Sequence, residues 1–259
     1  MIKRRLFTCS VIFFFAIISA LAIYSTPSTK AVPIVSLPTA KVVKSPTFIF
    51  EKVNNANDLS FANELLPVND DVVDRKMRHS LLTHNFSHVQ SNMLQQKAEK
   101  LFPIIEPILR LYGIPDDFKY VPLVESGLCS GISSKGAAGL WQFMPGTART
   151  YGLRVNSGTD ERLNVRKSTV AACKYIKELY GEFNSWTLAA AAYNNGEIKL
   201  QRQINKQNED NYFRMHLNRE TGVYVYNIIA MKEIISKPVK YGYNSRYCCS
   251  PKMQLLAYN

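Results

Sequence analysis

The sequence predicts a mainly α protein. Three observations carry that expectation. Apolar residues recur at helical spacing from about Ser91 onward, and Gly and Pro fall where those periodic runs stop. Strand signals are scarce, with no hairpin dipeptide between alternating runs. A chain of 259 residues can build one full core with appended segments, and no internal repeat is visible.

At the N-terminus, Lys3, Arg4 and Arg5 precede an uncharged run from Leu6 to about Tyr24. A basic start followed by an apolar stretch reads as an export signal. Ala20-Leu21-Ala22 offers a small-residue cleavage site, yet the run is also long enough to remain as an anchor, since about 20 residues span a bilayer. Both outcomes stay open. Residues 25–47 are rich in Pro, Ser, Thr and Lys and read as a linker, and the mixed, polar stretch up to residue 88 as an N-terminal extension. His84 and His88 have the spacing of a metal pair, but no Glu follows His84 as a zinc peptidase motif requires, so no metal or other cofactor is expected.

The periodic region, 89–242, is read as the folded domain, with 243–259 as a tail. In SNMLQQKAEKLFPIIEPILRLYG, residues Leu94, Ala98, Leu101, Ile105, Ile108 and Leu109 share a face, with Pro103 and Pro107 expected to kink or break it. IPDDFKYVPLVESGL opens with Pro115 and two acids, which suit a helix start, and Gly127 is a stop. SGISSKGAAG is a loop, and LWQFMPGTARTYG a short helix ended by Gly152. NVRKSTVAACKYIKELYGEF turns Val170, Cys173, Ile176 and Leu179 or Tyr180 inward and stops near Gly181. NSWTLAAAAYNNG is capped by Asn184 or Ser185, with Gly196 beyond its end, and NRETGVYVYNIIAMKEIISKP is stopped by Pro238.

The formal net charge is +12. A basic surface admits nucleic acid, an anionic membrane or an acidic polymer. No Lys/Arg run, aromatic-interleaved basic segment or zinc-finger spacing supports nucleic acid, and an export signal argues against it. The five cysteines, Cys9, Cys129, Cys173, Cys248 and Cys249, have no zinc or redox spacing.

One residue stands out. In KYVPLVESGLCSG, helical spacing puts Glu125 on the side of Phe118, Val121 and Leu128. An apolar setting disfavours the ionised carboxylate and raises its pKa, which suits a proton donor. A helix-end Glu reaching past Gly127 to solvent fits the same run.

The residues beyond Glu125-Ser126 narrow the choice. Ser133 to Ala148 reads Ser-x-x-Gly-Ala-x-Gly-Leu-x-Gln-x-Met-Pro-x-Thr-Ala, AAYNNG comes next at Ala191 to Gly196, and ETGVYV at Glu220 to Val225. These ordered motifs resemble those of lytic transglycosylases with a goose-lysozyme-like catalytic domain of the soluble-lytic-transglycosylase type. IEPILRLYGIPDDFKYVPLVESGL is similar to the membrane-bound lytic murein transglycosylase D branch. The resemblance covers roughly residues 66–242 and implies a lysozyme-like helical domain with a substrate cleft. Position by position, it makes Glu125 the single catalytic acid/base and Ser133 a loop serine near the substrate. Gln142 becomes a cleft glutamine with Met144 as a wall. Tyr193 lines the site opposite the acid with Asn194 next to it, and Glu220 and Tyr224 flank the cleft. Three departures are visible. The spacer before Ser133 is one residue shorter than in the soluble enzyme, Ser134 replaces a proline, and Asn195 replaces an alanine. No LysM-like repeat is visible.

The resemblance implies cleavage of the β-1,4 bond between N-acetylmuramic acid and N-acetylglucosamine in peptidoglycan glycan strands. Two carboxylates are usual for glycosidases; here Glu125 acts as acid and then as base. The substrate's N-acetyl group supports the cation, and the sugar's 6-hydroxyl closes to a 1,6-anhydro end. Trp141 and Tyr193 are candidates for stacking on sugars, with core packing an equal reading for Trp141. The alternatives are a hydrolytic muramidase on the same fold and a non-catalytic wall-binding protein. The chain is read as an exported, monomeric protein of the bacterial envelope (periplasm), with membrane association through its first segment left open.

Overall fold

Helix α8, Thr221–Ser236, is apolar nearly all round: Tyr224, Val225, Tyr226, Ile228, Ile229, Ala230, Met231 and Ile234 are all buried. A helix with no polar face must be surrounded. The computed structural model describes residues 59–85 and 92–243 of the chain. Within them, α8 is packed by α1 (Asp71–His84), α3 (Val121–Ser126) and α6 (Trp186–Asn195). A second layer comes from α2 (Met93–Tyr112) on α5 (Val165–Phe183), with α5 also against α6. Helices α4 (Pro145–Thr150) and α7 (Glu197–Gln207) complete the set. Ala189 to Ala192 of α6 are fully buried, and side chains this small let α6 lie close to its neighbours at no cost in helix propensity. Strands are limited to two antiparallel hairpins of two-residue strands: β1 (Ser60–Phe61) with β2 (Glu64–Leu65), and β3 (Val155–Asn156) with β4 (Thr159–Asp160).

The expected export segment, the expected linker at 25–47, the part of the expected extension through residue 58, His88, Cys248 and Cys249 lie outside the described residues. Among the described residues no helix is long and apolar enough to cross a membrane. The expectation for residues 59–85, an extension ahead of the domain, meets a different structure. Phe61 is fully buried with its ring 4.9 Å from Phe118, and Asp117 Oδ2 accepts from Ala62 N–H and from Lys232 on α8, both at 2.7 Å. The first hairpin and α1 are part of the same core.

Two further expectations differ. Pro103 and Pro107 stand inside an unbroken α2. Both are exposed, so the carbonyls left without an amide partner, at residues 99 and 103, lie on the solvent side, where water can satisfy them. Gly139 to Gln142 form a turn closed by an Ala138–Phe143 bridge, and α4 starts only at Pro145. Gly139 and Gln142 both adopt left-handed backbone, φ 76 and 47, which no helix accommodates. Gly139 is also required for space, since a Cβ there would sit 1.9 Å from the Arg162 carbonyl oxygen.

Candidate active site

Helix α3 is six residues long, with Pro122 in its first turn and Gly127 at φ 58 ending it. The Gly127 and Leu128 amides donate back to the Leu123 and Pro122 carbonyls, closing the helix immediately after Glu125-Ser126. Phe118, Val121 and Leu128 are buried as expected, and the Glu125 side chain is only partly exposed. Ser126 Oγ donates within α3 to Pro122 O, and lies 2.9 Å from Leu140 O, tying α3 to the Gly139–Gln142 turn.

The Tyr224 hydroxyl, from buried α8, donates a short hydrogen bond to Glu125 Oε1. Burial pushes the Glu125 carboxyl up from 4.5 to about 7; the Tyr224 hydrogen bond pulls it down and the Glu220 charge pushes it up. The phenols of Tyr193 and Tyr224 are both held well above their usual value, first by burial and next by the charge of Glu125. Glu125, Tyr224, Tyr193 and Glu220 therefore form one electrostatic group, although 99 residues separate Glu125 from Tyr224 in the chain.

Tyr193 and Asn194 come from the last turn of α6. Tyr193 hydroxyl donates to Trp141 O at 2.8 Å, and its ring meets Trp141 and Phe143 edge-on. Asn194 Nδ2 donates to Glu220 Oε1 at 3.2 Å, and its Oδ1 accepts from Thr221 Oγ1 at 2.9 Å. Glu220 is exposed at the N-terminal end of α8. These bonds join the end of α6 to the start of α8 around Glu125.

Ser133, Gln142 and Met144 sit on the loop. Ser133 Oγ accepts from Ala137 N–H at 3.0 Å, and Gln142 Nε2 donates to Gly139 O at 2.8 Å. Both hydrogen-bond within their own loop here. Met144 is exposed and open to a ligand. Trp141 is wholly buried, its indole N–H donating to Thr169 Oγ1 at 3.0 Å, so it is core and offers no face to a sugar. His84 Nδ1 hydrogen-bonds Ser80 O at 2.7 Å, and the described residues hold no cluster of three or more metal-ligating side chains.

Sequence reasoning missed the supports. Arg162 is buried and donates to Gly136 O at 2.7 Å and to Phe143 O at 2.9 Å, while pairing with Asp160 at 2.7 Å. It pins both sides of the site loop, and no local signal marks a lone Arg for that task. Glu64 of β2 accepts from the Trp186 and Thr187 amides and from the Ser185 and Thr187 hydroxyls. A carboxylate on the exposed amides of a helix start complements its dipole, and here it holds the helix that carries Tyr193 and Asn194. The rings of Tyr175 and Tyr151 continue from Tyr193, with centroids 5.4 and then 4.9 Å apart.

The site is thus one part-buried carboxyl, raised to about 7 by burial, at the end of a short helix in a mainly α domain. Residues 103–215 match the family described as Transglycosylase SLT domain. It is 30% identical over 183 residues to Membrane-bound lytic murein transglycosylase D of Escherichia coli K12, which covers 68% of this chain and 39% of that protein. It is 44% identical over 88 residues to Peptidoglycan transglycosylase gp16 of Escherichia phage T7, covering 33% of this chain and 7% of that protein. Among solved structures, an inactive mutant of lytic transglycosylase Slt from Pseudomonas aeruginosa aligns with a TM-score of 0.42 at 19% identity, covering 66% of this chain and 31% of that one. The chain spans about two-fifths of the length of the murein transglycosylase it matches.

Proposed function

We propose that this protein is a peptidoglycan lytic transglycosylase that cleaves the N-acetylmuramic acid–N-acetylglucosamine β-1,4 bond and leaves a 1,6-anhydro end. The observation that carries this reading is Glu125, held at about 7 by burial with the Tyr224 hydroxyl on its Oε1. With Oε1 accepting from Tyr224, the carboxyl proton resides on Oε2, the oxygen left to meet a leaving group. Protonated Glu125 donates to the glycosidic oxygen. The oxocarbenium-like centre that forms is stabilised by the substrate's own N-acetyl oxygen. Ionised Glu125, supported by the Tyr224 hydrogen bond, then takes the proton of the 6-hydroxyl as that oxygen closes onto the anomeric carbon. A pKa near the working pH lets one group serve both steps. Asn194 and Glu220 flank the reacting sugar, Met144 forms a wall, and Ser133 and Gln142 order the loop that carries it. Tyr193, Tyr175 and Tyr151 supply aromatic surface for the strand. Similarity to a protein named as membrane-bound and the basic, apolar N-terminus support export to the bacterial envelope, with the first segment cleaved or kept as an anchor. We read the protein as acting alone on glycan strands.

Mass spectrometry of digested peptidoglycan tests the reading: anhydro ends are expected, and a digest of reducing ends alone would refute it. The hydrolytic reading has one specific observation in its favour. Glu220 is a second carboxylate whose charge reaches Glu125, and a water-activating base would need such a group. Under that reading Glu220→Gln abolishes cleavage, whereas under the lyase reading it lowers the Glu125 pKa and leaves anhydro products.

A further inference from the structure

A cavity of about 270 Å³ opens beside the site, lined by Asn195, Lys199, Arg202, Gln203, Leu217 and Asn218. Its hydrogen-bonding character can be worked out from the network behind it. Asn218 Oδ1 accepts from the Thr221 backbone amide, so the Asn218 Nδ2 must be the donor that meets Asn195 Oδ1 at 3.2 Å. Gln207 Oε1 accepts from the His216 backbone amide, so Gln207 Nε2 must be the donor that meets Gln203 Oε1 at 3.1 Å. Backbone N–H groups cannot accept, and both amide orientations are thereby fixed. The Asn195 and Gln203 carbonyl oxygens each accept one internal hydrogen bond, which leaves their NH₂ groups as the donors available to the cavity. Lys199 and Arg202, one helical turn apart on α7, add cationic donors. Neither is in an ion pair among the described residues. The cavity thus presents donors and positive charge, with Leu217 as one apolar wall.

We propose that this cavity binds a carboxylate on the peptide stem of the peptidoglycan strand being cut, which rests on the function proposed above. A carboxylate matches the planar fork of Arg202 and the flanking NH₂ groups, and Leu217 suits the aliphatic part of a peptide residue. The position fits. Asn194 reaches Glu220 on the catalytic side, and the next residue, Asn195, reaches Asn218 on the cavity side. A stem attached to the muramic acid at Glu125 leaves the glycan toward this cavity, so the enzyme reads peptide-bearing strands in preference to bare ones.

The test compares kcat/KM of the full chain on soluble peptide-bearing strands and on strands stripped by an amidase, which expose the lactyl carboxylate instead. Lys199→Ala/Arg202→Ala is expected to lose about tenfold on peptide-bearing strands, mostly in KM, and to match wild type on stripped strands. Lys206→Ala, a cation of the same helix outside the cavity, is expected to leave both unchanged. Equal loss on both substrates would assign the effect to the glycan or to general charge and overturn the proposal, as would no loss on either. If wild type cut neither substrate, the lyase reading itself would have failed. Binding of the free stem tetrapeptide, followed by the side-chain NH₂ signals of Asn195 and Gln203, then decides alone: shifts in wild type that vanish in the double variant support the site, and no shifts in wild type overturn it.

Discussion

Replacing Glu125 with Gln should change stability in a pH-dependent way that reports directly on the buried carboxyl. The folded protein holds Glu125 at about 7, against 4.5 for the free group. Ionising it in place therefore costs up to about 3 kcal/mol. The sign is set by proton uptake. Below about pH 4.5 the group is protonated in both states and contributes no difference. Between 4.5 and about 7 the folded chain holds a proton the unfolded chain has released, so wild-type stability falls as pH rises; above 7 the loss is complete and constant. Gln cannot ionise, keeps a carbonyl oxygen to accept from Tyr224, and escapes the loss. Urea unfolding at several pH values between 4 and 8.5 measures this. The variant should equal wild type near pH 4 and exceed it by up to about 3 kcal/mol at pH 8.5, while losing cleavage throughout. Parallel pH profiles, or a wild type that gains on the variant as pH rises, would refute the reasoning.

Three other outcomes are expected from the same structure. Tyr224→Phe removes the hydrogen bond that pulls the Glu125 carboxyl down, so the alkaline limb of activity should move up by about one pH unit while kcat falls, as pH–rate profiles would show. Arg162→Met strips the Gly136 and Phe143 carbonyls and Asp160 of a buried partner, and thermal unfolding should report a loss of about 3 kcal/mol or more. Glu64→Gln weakens the cap on α6 and should cost about 1–2 kcal/mol in urea melts, without altering the pH profile of whatever activity remains.

Several helices were legible because helical spacing and glycine stops agree: Gly113, Gly127 and Gly196 each end a helix in positive φ, whereas α5 runs through the expected stop at Gly181 to Phe183. Reading failed where local rules were outweighed. Pro103 and Pro107 do not break α2, because solvent can take over the bonds they forfeit. Helix α7 gave no signal, since Leu200 is its one buried side chain. Glu125 and its partners were legible through motif order, not periodicity. Their convergence was implied by the resemblance alone, since no local pattern shows that Tyr224 reaches Glu125 across 99 residues or that Glu64 reaches α6 across more than 120. Trp141 looked equally fit for sugar or core, and only packing decides such a case.

The proposed mechanism rests on Glu125 staying protonated until substrate arrives. Carboxyl carbon NMR of the protein labelled at glutamate side chains, with Glu125→Gln to assign the signal, measures that property independently of products or rates. The mechanism predicts titration near 7, above the other glutamates. A midpoint near the free value of 4.5 would contradict it.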